Sequence, residues 1–222
     1  MSGARSFVVG VFALCLAVVS LSACAKPDYN YAQFSPSTAP AGNVYFKVPQ
    51  SWTEFSADDI ATAQSTWSSD STAKNLLAAT AWQGAYDASA QPALTHVLGS
   101  ATPSSPTVFA SLRSLFDPEK PLATDAALRD MVVPISTLGS NVKILKDAKI
   151  SQGGANGVHV VFSYTPASGE DAETIDQTAL FSGGKNAVYL LLVRCSSTCY
   201  EQNRDAIDSV TASYTIQEDQ NG

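Results

Sequence analysis

A chain of 222 residues with 20 acidic against 13 basic side chains carries a formal net charge of −7. It lacks the clustered Lys and Arg that displace counterions from phosphates, which excludes nucleic acid as a partner. The same balance is repelled by anionic headgroups, so any hold on a membrane has to come from something other than a basic patch. With 45% hydrophobic residues, the chain can still bury a substantial core.

The N-terminus carries one charge, Arg5, and then an apolar run from Phe7 to Leu21 broken by Gly10 and Ser20. This is the length of a secretory h-region and falls short of the ~20 apolar residues that span a bilayer. The run ends in Leu21-Ser22-Ala23-Cys24, which resembles the lipobox of bacterial lipoproteins. The resemblance implies a signal peptide over residues 1–23, cleavage between Ala23 and Cys24, and a diacylglyceryl thioether on the Cys24 sulfur, with or without a third acyl chain on the new amino group. It places the protein on the outer face of the cytoplasmic membrane, because two or more chains hold a protein there stably. Loss of residues 1–23 removes one Arg and no acidic residue, so the net charge moves from −7 to −8.

Cleavage also discards Cys15, and acylation uses Cys24. That leaves Cys195 and Cys199 as a pair in an oxidising compartment, where a structural disulfide is expected. Closing so small a ring contributes about 2 kcal/mol, enough to pin a corner but not to hold the fold.

Residues 24–42 are expected to form a lipidated cysteine and a flexible tether, since Pro27, Pro36 and Pro40 deny the segment a helix. A single globular domain is expected over 43–222. It opens with a strand that places Val44, Phe46 and Val48 on one face and turns at Pro49. Ser56 and Asp59 form a capping box for a helix carrying Ile60, Ala63 and Trp67. Leu76 to Tyr86 and Ala93 to Leu98 read as strands, the alanines leaving the first open to a helical reading. Pro106 at a helix start, followed by Val108, Phe109, Leu112, Leu115 and Phe116, reads as an amphipathic helix. A further helix, capped by Thr124, is expected from Asp125 to Val133.

The second half reads as β. Val142, Ile144, Ala148 and Ile150 alternate with Lys143, Asp147 and Lys149, and Gly153, Gly154 and Gly157 turn the chain into Val158 to Thr165. Thr174 to Ser182 pairs across Gly183-Gly-Lys-Asn186 with Ala187 to Cys195 as a hairpin. Both faces of Val188 to Val193 are apolar, which requires a central strand covered on both sides. A last helix is expected to begin at the capping pair Thr198 and Glu201 and to point Ile207 and Val210 inward.

No G-x-S-x-G, H-E-x-x-H, phosphate-binding glycine loop or C-x-x-C occurs, so the sequence signals no catalytic residue, metal or cofactor. The two histidines, His96 and His159, sit among apolar neighbours in strand-like runs and read as satisfied core or sheet-face residues. Glu170, Asp171 and Glu173 lack the spacing of a calcium loop and read as a solvated turn. Trp52, Trp67, Trp82 and Tyr86 read as core aromatics rather than a ligand groove.

Phe46-x-Val48-Pro49-x-x-Trp52, the closing Tyr189-x-Leu191 and Cys195, and the final Ile207-x-x-Val210-x-x-Ser213-Tyr214 resemble the PsbP/Mog1 superfamily, in particular its small exported lipoproteins of actinobacteria. The resemblance implies an α+β fold in which an antiparallel sheet is flanked by helices as an α/β/α sandwich. It implies a binding or assembly module for an envelope protein or small ligand and carries no active-site residues. An envelope hydrolase with a non-standard site, or a carrier of apolar molecules, are the competing readings.

Overall fold

The computed structural model describes residues 28–35, 42–67, 71–166 and 171–218. In chain order these form β1 (Tyr29–Phe34), β2 (Asn43–Pro49), β3 (Thr53–Phe55), α1 (Ala57–Trp67), α2 (Ser71–Ala78), β4 (Thr80–Asp87), α3 (Leu94–Leu98), β5 (Thr107–Ser114), α4 (Asp125–Arg129), β6 (Val142–Gln152), β7 (Ala155–Tyr164), β8 (Glu173–Phe181), β9 (Ala187–Ser196), α5 (Ser197–Gln202), α6 (Arg204–Ser213) and β10 (Thr215–Gln217). The fold is α+β. An antiparallel sheet of seven strands runs in the order β3-β4-β5-β9-β8-β7-β6, and β1, β2 and β10 form a smaller sheet.

β9 stands at the centre of the large sheet, as its doubly apolar sequence requires. Tyr189, Leu191 and Val193 point to one face, where they join Val44, Phe46 and Val48 of β2, Val108, Ala110 and Leu112 of β5, and Ile207 and Val210 of α6. Val188 and Leu190 point to the other face and pack with Leu128 of α4, while Leu192 there meets Val160, Phe162 and Ile175. Helices therefore lie on both faces, and on the first face the small sheet shares the covering with α5 and α6. Hydrogen bonds tie these layers together. On the first face the Lys47 amide of β2 donates to Ser213 Oγ of α6, joining the two parts of the cover, and on the second the Gln177 side chain of β8 donates to the Leu128 carbonyl of α4.

The Ser56–Asp59 capping box forms, with reciprocal bonds of 3.1 and 3.2 Å, and starts α1. The β8–β9 hairpin pairs Thr174 with Cys195 and Phe181 with Val188. The β6–β7 turn uses Gly153 and Gly154 at φ of +52° and +98°, a region side chains avoid.

Six expectations are corrected. Thr107–Ser114 is a strand, not a helix: Val108, Ala110 and Leu112 are fully buried at period two, and Phe109 serves the opposite face. Its apolar residues satisfy both periods, and pairing with β4 and β9 decides between them. Within Ala93 to Leu98, Ala93 is extended but Leu94–Leu98 is helical, because Asp87 takes the Ala93 amide and the His96 ring and folds the segment back onto β4. Leu76 to Tyr86 divides into the end of α2 and most of β4. The helix after Thr124 stops at Arg129, the Asp130 amide returning to the Ala126 carbonyl. The C-terminal helix is two helices that meet at Asn203, and Ser196 rather than Thr198 caps the first by accepting the Cys199 amide. Finally, Tyr29–Phe34, inside the expected tether, is a strand in antiparallel register with β2 from Tyr29↔Pro49 to Phe34↔Val44.

The alternation of β6 also breaks. A bulge between Ile144 and Lys146 shifts the register. Lys146 then shares a face with Lys143, Ala148 and Ile150, while Asp147 and Lys149 move to the face of α4, where they pair with Arg129 at 2.8 Å and Asp125 at 2.7 Å.

Candidate functional site

Over β5 and β9 the first face of the large sheet is closed by apolar contacts, but over β7 and β8 it carries His159, Ser163, Thr174, Asp176 and Thr178. Here α5 and α6 bridge the strands without filling the space. The result is a cavity of about 620 Å³ lined by Leu145, Lys146, His159, Val161, Asp176 and Tyr200, with Arg204, Asp208 and Thr211 from α6. The bulge at Leu145 matters to this site, since it turns Lys146 toward the cavity.

Asp176 organises the floor. Its carboxylate is 2% exposed and accepts two bonds, from His159 Nε2 at 2.7 Å and from the Tyr200 hydroxyl at 2.9 Å. A buried carboxylate needs such donors, and the donors in turn lose their rotational freedom. With Nε2 committed to Asp176, Nδ1 is the ring nitrogen left to meet a ligand. Burial pushes the Tyr200 hydroxyl well above the ordinary tyrosine range, and the Asp176 charge adds to the effect, so Tyr200 remains a donor at neutral pH.

The rim mixes signs. Arg204 pairs with Glu201 at 2.5 Å, and Lys146 and Asp208 stand nearby. A second cavity of about 480 Å³ shares Glu201 and Arg204 and extends along Gln202, Asn203 and Asp205 to Tyr29 of β1.

A histidine held by an aspartate is also half of a hydrolytic triad. The hydroxyls among the lining residues belong to Tyr200 and Thr211. Ser163 lies on the same face and bonds Thr174 at 2.7 Å, but it is four residues along an extended strand from His159, about 13 Å away and outside proton-transfer reach.

His96 belongs to a different place and a different task. Its Nδ1 meets Asp87 at 2.7 Å, and Asp87, fully buried, also accepts the Ser89 and Ala93 amides. Burial opposes the Asp87 charge, yet these donors outweigh it and hold the carboxyl below its ordinary range. His96 therefore braces a loop.

The acidic trio does not act as one unit either. Glu173 is fully buried on β8, where it pairs with Arg194 and accepts the Tyr164 hydroxyl at 2.8 Å. Arg194 reaches on to the Gly99 and Ala101 carbonyls. The reading of a solvated turn fails at Glu173; Asp171 is exposed, and Glu170 lies outside the described residues. Trp52 and Tyr86 are core residues, Trp82 stacks on Phe34 with centroids 5.6 Å apart, and the Trp67 side chain is outside the described set.

Cys195 and Cys199 are joined sulfur to sulfur with Cα atoms 5.9 Å apart, which ties the end of β9 to α5 and so to Tyr200. Ala23 and Cys24 lie outside the described residues. Among the described residues, no helix is long and apolar enough to cross a membrane and no cluster of His, Cys, Asp and Glu is placed to hold a metal.

No protein-family model matches the chain, and no curated protein matches it. Solved structures do. The chain is similar to LpqN of Mycobacterium tuberculosis, described as involved in cell envelope biogenesis, at 15% identity and a TM-score of 0.45, over 85% of this chain and 91% of that one. It is similar to the Ran-binding protein Mog1p of Saccharomyces cerevisiae at 9% identity and a TM-score of 0.45, over 87% and 97%. It is similar to the PsbP protein of the cyanobacterium Synechocystis at 8% identity and a TM-score of 0.42, over 84% and 92%. At these scores the likeness concerns chain layout, and the function has to be argued from the residues themselves.

Of the cavity residues, sequence singles out His159 and reads it as a sheet-face residue. Asp176, Tyr200, Lys146 and Arg204 go unnoticed. One sequence signal is available for Asp176: it is a lone charge inside the β-forming run Thr174 to Phe181.

Proposed function

We propose that the protein is a lipid-anchored module of the cell envelope that works by binding, held on the outer face of the cytoplasmic membrane through Cys24. It takes a small ligand or a segment of an envelope protein at the His159 cavity. The observation that carries this reading is the braced floor: one buried carboxylate orients both an imidazole and a phenol into an open space of ligand size. The anchor is supported by Leu21-Ser22-Ala23-Cys24 at the end of an apolar run.

Cross-linking in intact cells, from a photoreactive residue replacing Thr211, tests the binding reading. A discrete adduct that disappears in His159→Ala supports it. Turnover of ester, peptide or glycan substrates by the purified domain, lost in the same variant, would replace it with the hydrolase reading, which the His159–Asp176 pair favours to the extent that it resembles a general base and its orienting group. Lipid retained by the domain in native mass spectrometry would instead favour a carrier. For the anchor, Cys24→Ala should abolish labelling by a fatty-acid analogue; unchanged labelling would sink that assignment.

A further inference from the structure

β1 changes how far the domain can stand from its anchor. The strand is locked to β2 over its full length, and just before it the Asp28 carbonyl accepts the Gln50 amide at 2.7 Å. The domain therefore begins no later than Asp28, well before residue 43. Only Ala25, Lys26, Pro27 and Asp28 separate Cys24 from Tyr29. Five Cα steps reach at most about 17 Å when fully extended. The headgroup layer of one leaflet accounts for roughly 5 to 8 Å of that distance.

Tyr29 also marks a definite corner. Lys47 lies over its ring at 4.5 Å, and the ring lines the smaller cavity with Glu201, Gln202, Arg204 and Asp205 at the junction of α5 and α6. The β8–β9 turn is at the opposite end of β9 from α5, the length of a ten-residue strand away, about 33 Å.

We infer that this corner, formed by Tyr29, the turn at Gln50 and the α5–α6 junction, is a membrane-facing surface, and that its occupant is the phospholipid headgroup layer of the bilayer holding Cys24. The inference rests on the lipid anchor proposed above. Chain length keeps Tyr29 within about 9 to 12 Å of the headgroup surface, and charge need not draw it in: Lys47 and Arg204 stand against Asp28, Glu201 and Asp205, a mixed set suited to zwitterionic headgroups. Tyr31, 82% exposed two residues along the strand, supplies an aromatic ring of the kind that settles at a membrane–water interface. The larger cavity shares Glu201 and Arg204 with this corner, so the His159 site lies beside the lipid surface, and the segment after Cys24 holds the domain down where a flexible spacer would lift it clear.

The test uses the full-length acylated protein in phosphatidylcholine vesicles that carry a quencher on the lipid headgroup. With Cys24 acylated and Cys195 bonded to Cys199, one introduced thiol can be labelled selectively, either Gln202→Cys at the corner or Asp117→Cys near the far hairpin, both at exposed positions. The expected result is at least threefold stronger quenching at the Gln202 position, falling to parity when fifteen Gly/Ser residues are inserted between Lys26 and Pro27. Equal quenching at the two positions in verified acylated protein overturns the proposal and leaves the anchor standing. Absence of acyl chains on Cys24 by mass spectrometry overturns the anchor reading, and this proposal with it.

Discussion

The first face of the large sheet is treated in two ways. Over β4, β5 and β9 it is a core: Phe46 meets Trp82, Tyr86 and Tyr214 with ring centroids 5.9 to 6.2 Å apart, and the aliphatic residues between them are fully buried. Over β7 and β8 the same face carries His159, Asp176, Ser163 and Thr174, and its polar groups bond to one another and to α5. A single continuous sheet thus provides both the apolar half and the polar half. The hydrogen-bonded backbone passes the order of the first to the second, which is how a cavity with a mixed rim can hold a fixed geometry.

The comparison breaks first in the apolar half. Leu191→Ala removes a fully buried side chain at the sheet centre and should cost about 3 to 5 kcal/mol in urea unfolding while leaving the His159 environment unchanged in the folded fraction. In the polar half, Asp176→Ala strips His159 and Tyr200 of their common acceptor. A loss of about 1 to 3 kcal/mol is expected, with the larger effect on ligand capture, and the imidazole signals in NMR should broaden or move; full retention of cross-linking would contradict the role given to the floor.

Alkaline pH should separate the halves less sharply. Burial raises the Tyr189 hydroxyl to about 12, and it also raises Tyr86, Tyr200 and Tyr214 above the ordinary 10.0. In the folded chain these groups keep protons that the unfolded chain gives up above pH 10, so stability is unaffected below that value and falls as pH climbs from 10 toward 12. Urea midpoints that stay level across that window would contradict the burial of these phenols. The smallest effect is expected from Arg129→Ala, whose partner Asp147 is 41% exposed; a change under about 1 kcal/mol would show that surface pairing on the second face contributes little beside the core.

How far this arrangement can be read from sequence depends on whether the signal is local. β9 is legible because Val188 to Val193 is apolar at every position, and the α1 start because Ser56 and Asp59 stand three residues apart. β5 is not, since Val108, Phe109 and Leu112 fit a helical stripe and a two-sided strand equally well, and only its neighbours choose. Nor is β1, which has to borrow its partner from β2. The floor of the cavity is less legible still. His159, Asp176 and Tyr200 are separated by 17 and 24 residues, and only the β7–β8 register, with Val161 opposite Asp176, and the placement of α5 bring them together. Each of the three is unremarkable where it stands in the sequence.

The extra residue at Leu145 acts on β6 as a one-base insertion acts on a reading frame. Upstream of it, Lys143 keeps the parity of its neighbours; downstream, every residue is read on the opposite face from the one strict alternation assigns. Deleting Leu145 should therefore be milder than a deletion inside a strand usually is, because it removes the unpaired residue and joins Ile144 to Lys146 as a regular ladder. Asp147 and Lys149 would keep the α4 face with their two ion pairs, and Lys146 and Ala148 would keep the cavity face, whereas a second residue inserted beside Leu145 would send Asp147 and Lys149 toward the cavity and cut both pairs. Replacing Leu145 in place likewise leaves the frame intact and should be tolerated.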